Sequence, residues 1–473
     1  MLFNSFSFLG FFAALAIVYY ASPHRYRWGL LLVASLYNYA AFRAEYVLLL
    51  LGVTAVGYVG GQALAGASGG RRKAWLAGSV ALVLGVLFVD KYYDFFVRSF
   101  NEAVGRPALT GLDLAVAAGL SFYTFSCVSY LVDVYKRVIP PERHVGRFAL
   151  YVAYFPKLLA GPIERARPFL AQLDVPVRFN SAQVVSGLQL VLWGLFKKVV
   201  IADRLAPIVD AAYRNPAFTS PADLIIATYF FAFQLYCDFS GYSDIAIGTS
   251  RVLGIELFEN FRRPYLSTSV REFWAQRWHL SLSAWFRDYL YFPLGGSRVA
   301  RWRANLNLMV VFLVSGLWHG ANWTFVVWGG LNGLYQVAEG LIAGRRTRVD
   351  DARRLFVPQL LGGILTFHLV LVSWVFFRAA SLGDAVAVFT RIWSGGGALP
   401  RLLLTRLQDP LIQLSLALVM LLLVVEAFDE LRSVWIRLAR RPVYLRWAAY
   451  YALLLLLVVL GQWNFAQFVY MQF

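Results

Sequence analysis

Apolar runs of about 20 residues, each long enough to cross the hydrocarbon core of a bilayer, recur along this 473-residue chain from one end to the other. Soluble proteins carry about a quarter charged residues, whereas here 15% are charged and 59% hydrophobic. The chain therefore reads as an all-α polytopic membrane protein. The runs fall near 5–21, 28–62 (two helices meeting near Arg43 and Glu45), 74–97, 114–135, 182–202 and 222–250. They continue at 305–343 (two helices), 357–380, 410–428 and 444–462, which gives about 10–12 transmembrane helices. A shorter apolar piece, 148–160, closed by Gly161-Pro162, is too short for a full span and suits a re-entrant or interfacial helix. Met1–Tyr20 lacks a basic leader and a small-residue cleavage site, so it reads as the first span. No internal repeat is visible and no loop is long enough for a soluble domain, so residues 1–473 are expected to form a single membrane domain.

The net charge is +18, from 44 Lys plus Arg against 26 Asp plus Glu. The basic residues cluster between spans, as in Arg71-Arg72-Lys73, Arg345-Arg346 and Arg440-Arg441, which fits topology-setting loop charge rather than nucleic-acid binding. The two cysteines, Cys127 and Cys237, sit in apolar or aromatic runs outside any ligand spacing, so neither a metal site nor a disulfide is implied.

One stretch does not fit lipid. Arg271–Trp328 holds Arg271, Glu272, Arg277, Arg287 and Asp288 beside many tryptophans and two histidines. A charge at the bilayer centre costs roughly 2.5–3.5 kcal/mol on insertion scales. The segment must therefore lie at the interface or line an internal cavity. On a helix, Trp274, Trp278 and Trp285 would share one face, which reads equally as an interfacial aromatic belt. His279 lies off that stripe, one turn before Ser283. The second histidine occurs in Ser315-Gly316-Leu317-Trp318-His319-Gly320-Ala321-Asn322-Trp323, between two membrane-length segments. Gly316 and Gly320 allow close approach of another backbone or a substrate. A buried histidine bonded to a neighbouring helix is the alternative reading of His319. His24 and His144 lie among loop arginines and are expected to be solvated, and His368, in an apolar helix, is expected to pack.

Two further polar clusters occur. Asp238-Phe239-Ser240-Gly241-Tyr242-Ser243-Asp244 ends an aromatic span and could line a cavity or cap a helix, and Asn260–Tyr265 reads as a cytoplasmic-type loop. The chain contains no GxxxxGK[ST], GxSxG, HExxH or GxGxxG motif, so ATP hydrolysis, serine-hydrolase chemistry and dinucleotide redox lack support.

These stretches resemble the membrane-bound O-acyltransferase (MBOAT) superfamily, and within it the bacterial branch of membrane subunits for alginate O-acetylation. The matching segments are Gly119–Phe125, Phe155-Pro156-Lys157 through Ile163, Gly194-Leu195-Phe196-Lys197-Lys198, Tyr236–Asp244 and Glu259–Tyr265. They continue with Arg277–Ser283, Trp285–Tyr291 and Ser315–Trp323, densest over 119–335, while Ala275-Gln276 and Phe292 depart from the usual pattern.

The resemblance implies short re-entrant helices and a central funnel through which a cytoplasmic donor and an extracytoplasmic acceptor reach one site. It implies His319 and His279 as catalytic residues, with Trp318, Asn322, Trp278, Ser283, Asp288 and Asp244 along the cavity or substrate path and no metal. A histidine base suits this chemistry, because its ordinary pKa near 6.5 lets it deprotonate a hydroxyl at neutral pH. No bound cofactor is expected. An acyl thioester, acetyl-CoA or acyl carrier protein, would be the donor, and a polysaccharide in the alginate class the acceptor. Also expected are a multi-pass location in a bacterial inner membrane and an extracytoplasmic acetyltransferase partner, with no nucleic acid bound. The aromatic tail 465–473 places Tyr470 as a possible acyl relay, with interfacial anchoring the alternative. D-alanyl or other acyl transfer to teichoic acid, lipid or protein, and a non-catalytic transporter or scaffold, are the rival functions.

Overall fold

The computed structural model describes residues 1–342, 356–431, 434–463 and 468. Among these residues the secondary structure is helical throughout, as expected for backbone that must bond to itself in lipid. By length and composition, seven helical runs are long and apolar enough to cross a membrane, and Phe6–Ala21 is a shorter apolar helix. The chain falls into two compact units.

One unit is Met1–Val191 with Tyr242–Glu259. It holds α1 (Phe6–Ala21), α2 (His24–Ala40), α3 (Glu45–Gly66), α4 (Gly69–Leu87), α5 (Tyr93–Val104), α6 (Leu120–Tyr135), α7 (Val145–Ala153), α8 (Phe155–Leu158) and α9 (Ala166–Gln172), and the start of α10 (Ser181–Leu195). The break expected near Arg43 and Glu45 is present between α2 and α3. A π-helical turn, Phe88–Tyr92, joins α4 to α5 into a single 36-residue run, Gly69–Val104, longer than the expected 74–97. The span expected at 114–135 is shorter, because Gly119 takes φ +79° and α6 starts only after it. The 148–160 segment breaks at Tyr154 and is buried along almost all its length. His144 is exposed, as expected, and also caps α7, its Nδ1 accepting the Gly146 and Arg147 N–H groups at 3.2 and 3.4 Å.

The other unit is Leu192–Gly241 with the described residues of Asn260–Val469. It contains a second π-turn, Phe196–Ala202, then α11 (Asp203–Tyr213) and most of α12 (Pro221–Val252). There follow α13 (Val270–Glu272), α14 (Leu280–Phe286), α15 (Arg301–His319), α16 (Trp323–Ile342), α17 (Phe356–Arg378), α18 (Leu382–Ser394), α19 (Leu399–Arg406), α20 (Pro410–Leu431), α21 (Val434–Ala439) and α22 (Val443–Leu460). In α12, 89% of the apolar window is buried, against 6% in α22. Such contrast separates a core helix from one whose Leu455, Val458 and Val459 face outward, as lipid-facing residues do.

α15 and α16 form a hairpin packed backbone to backbone. A Cβ on Gly316 would meet the Phe325 carbonyl oxygen at 2.3 Å, and one on Gly329 would meet that of Phe312 at the same distance. Small residues at such a crossing let helix axes approach without side chains between them. α15 ends at His319, where Gly320 turns to extended backbone.

Candidate functional site

The stretch 268–303 does not form the continuous helix needed for a tryptophan stripe. A π-turn, Phe273–Arg277, closes with the Trp278 N–H donating to the Phe273 carbonyl at 2.8 Å. The next residue, His279, takes φ +44°, ψ +57°, and α14 starts after it. The left-handed region costs an L-residue roughly 1–2 kcal/mol. It persists where the surroundings enforce it, often at functional sites.

Asn260 supplies that enforcement. It is fully buried, its carbonyl accepts the Leu280 N–H at 3.0 Å, and its Oδ1 accepts the Ser281 N–H at 3.2 Å. The Arg262 N–H donates to the Arg277 carbonyl at 2.9 Å, pinning the other side of the turn. Ion pairs of Arg277 with Glu272 (2.6 Å) and Glu430 (2.9 Å), and of Arg263 with Glu430 (2.6 Å) and Asp429, hold this loop to α20.

The two histidine rings both meet one indole. Trp318 has its ring centroid 6.1 Å from His279 and 4.9 Å from His319. Phe239 stands edge-on to His279 at 4.6 Å, and Phe261 lies parallel to it at 6.3 Å. His319 meets Trp328 at 4.9 Å and Phe377 at 5.4 Å. Behind them Trp274, Trp328 and Trp374 pack together, and Asn332 Oδ1 accepts the Trp274 indole N–H at 3.1 Å. His279 is 1% exposed and His319 4%. Such a site excludes bulk water, which strengthens the electrostatic interactions inside it.

Burial pushes the His279 imidazole down to about 3, so it is neutral near pH 7. The unfolded chain takes up the proton near pH 6.5 and the folded one does not, so stability is lost as pH falls from about 6.5 toward 3. We expect His279→Gln to flatten that fall, measured as melting temperature in detergent across the range. An unchanged pH slope would refute the assignment.

A second polar cluster adjoins this one along α12. Lys198 Nζ contacts Asp203 Oδ1 at 2.8 Å and Asp238 Oδ1 at 2.7 Å, with all three side chains buried. Asp238 directly precedes Phe239, the ring against His279. Breaking such a buried pair costs roughly 3–5 kcal/mol, because a charge is left uncompensated.

The structure thus gathers His279, His319, Trp318 and Trp278 into one aromatic cage, with Trp278 5.1 Å from Trp374. Trp274, Trp278 and Trp285 are buried rather than arrayed as an exposed belt. Ser283 donates its hydroxyl to the Trp274 carbonyl at 2.8 Å. Asn322 caps α16, its Oδ1 accepting the Thr324 N–H at 3.0 Å and its amide donating to the Ala380 carbonyl at 2.9 Å. Asp288 pairs with its neighbour Arg287 at 2.8 Å and is about one-third exposed. Asp244 belongs to the other compact unit. Tyr470 lies outside the described residues. His368, expected to pack, sits on an exposed face and bonds Tyr229 at 2.8 Å. The roles of Asn260, Asn332 and the Lys198 cluster escaped the sequence reading. Paired charge within a long apolar run, Lys197-Lys198 against Asp203 and Asp238, was the available signal for the last of these.

The model of the membrane-bound O-acyltransferase family matches residues 144–381, which include both histidines. The chain is 40% identical over 405 residues to the probable alginate O-acetylase AlgI of Azotobacter vinelandii, covering 84% of this chain and 79% of that one. The corresponding Pseudomonas aeruginosa protein is 39% identical, with 84% and 75% covered. A Helicobacter pylori peptidoglycan O-acetyltransferase is 33% identical, with 80% and 76% covered. Apolar helices and relatives agree on a multi-pass membrane O-acyltransferase. The chain belongs to the membrane-bound O-acyltransferase family.

Proposed function

We propose that this protein carries acetyl groups from a cytoplasmic thioester, acetyl-CoA or an acyl carrier protein, across a bacterial inner membrane to an alginate-like polysaccharide. The observation that carries the reading is the pair of buried histidines meeting Trp318. His319 acts as the base. It takes the proton of an attacking hydroxyl as the acyl C–O bond forms and the C–S bond breaks, then returns that proton to the departing thiolate. His279, buried and neutral, is its partner. The donor is already activated, so neither ATP nor a bound cofactor is required. The alginate-acetylating relatives, at 39–40% identity, favour alginate as acceptor class. The peptidoglycan relative supports the second reading, transfer to peptidoglycan.

Vesicles containing the protein, loaded with radiolabelled acetyl-CoA and supplied outside with alginate oligomers or peptidoglycan fragments, test both. Label on alginate supports the first reading, label on peptidoglycan alone the second, and label on neither overturns both. A separate extracytoplasmic acetyltransferase is expected to complete the transfer and is included in the assay. We further propose that Tyr470 accepts the acyl group before that partner. Tyr470→Phe keeps the ring and removes the nucleophile, so polymer labelling is expected to be lost. Full labelling by that variant sinks the relay.

A further inference from the structure

The buried lysine cluster and its neighbours also meet residues that follow α22. After α22 the Gln462 N–H donates to the Val199 carbonyl at 2.8 Å, and Arg204 donates to the Leu460 carbonyl from the helix that follows the π-turn. Phe468 is 1% exposed, and Lys198 Nζ stands 4.3 Å from the centroid of its ring. The Lys198 ammonium therefore meets two carboxylates and an aromatic ring. The chain's last described residue is one of its partners.

Burying one lysine with two aspartates is costly, and helix packing alone does not require it. A desolvated ammonium over an aromatic ring gives directional attraction that an apolar pair lacks. The cluster is also one residue from the histidine cage, since Asp238 holds Lys198 while Phe239 abuts His279.

We infer that Lys198, held by Asp203 and Asp238, is a positioning residue that latches Phe468, two residues before the Tyr470 of the proposed relay. The latch itself rests on contacts within this unit. Its role in transfer rests on the function proposed above.

A double-mutant cycle in the full-length detergent-solubilised protein tests the latch. Lys198→Met and Phe468→Ala each lower the melting temperature by a few degrees, and the double variant falls no further than the worse single. Additive losses overturn the latch. Phe468→Trp restores the coupling, because it keeps an aromatic face, whereas Phe468→Leu does not. Equal behaviour of Trp and Leu also overturns it. Where Lys198→Met does not accumulate, hydrogen exchange over residues 196–203 decides. Faster exchange in Phe468→Ala, reversed in Phe468→Trp, supports the latch, and unchanged exchange overturns it.

Inserting Gly-Gly between Phe468 and Val469 separates positioning from mere support. Melting temperature is expected to hold while acetyl transfer drops by about 10²-fold, the scale on which misplaced reacting groups lose rate. Unchanged transfer overturns the positioning role. Coupled stabilities in a protein that transfers no acyl group would instead sink the proposed chemistry and leave the latch standing.

Discussion

His319→Ala should lower acetyl transfer by about 10²–10⁴-fold, the usual worth of a general base, while the protein still inserts and elutes as a folded species. The side chain projects from the last residue of α15 into a cage of Trp318, Trp328 and Phe377. Removing the ring leaves a cavity, and the Gly316 and Gly329 crossing that fixes the hairpin is untouched. His319→Gln fills more of that space and removes the base equally, so the two variants should share the kinetic loss and differ in melting temperature. Near-wild-type acylation by a folded His319→Ala protein would point instead to a conduit whose histidine only packs.

The largest structural effect is expected at Gly316. A Cβ there meets a carbonyl oxygen of the facing helix at 2.3 Å, and backbone cannot swing aside as a side chain can. Overpacking usually costs about 1–3 kcal/mol, occasionally more. Gly316→Val, with two further carbons, should exceed Gly316→Ala and push α15 off α16, carrying His319 with it. Transfer then falls together with the melting temperature, unlike His319→Gln, where the loss of transfer exceeds any loss of stability. Gly78→Ala on α4 is the control, because nothing lies within 4 Å of its added carbon. A Gly316→Val protein as stable as wild type would refute this packing.

Both variants concern residues that the sequence already marked. His319 and its glycines were conspicuous because polar and small residues between membrane-length runs need partners. The family motifs then supplied the chemistry. Most helix positions were legible for a related reason, since hydropathy over about 20 residues reports lipid contact directly.

What could not be read was non-local or conformational. The break at Trp278–His279 depends on a π-turn and a left-handed residue, and hydropathy carries no sign of either. Asn260 looked like loop polarity. Its role is set by partners 20 and 21 residues away, Leu280 and Ser281. α18 and α19 were also missed. Their 13 and 8 residues give no membrane-length signal.

The π-helical turn Phe196–Ala202 bears on how such chains vary in length. Lys198 and Asp203 are five positions apart. At α-helical pitch that spacing would set them about 140° apart around the axis, outside the three- and four-residue neighbourhoods where helix side chains meet. The wider π pitch, with its i→i+5 bonds, brings them within 2.8 Å. Deleting one residue between them would let the segment close as ordinary α-helix and leave Lys198 and Asp203 four positions apart, a spacing at which helix side chains also meet. An aligned one-residue gap across this stretch is therefore compatible with the ion pair, whereas substitution of Lys198 or Asp203 removes it.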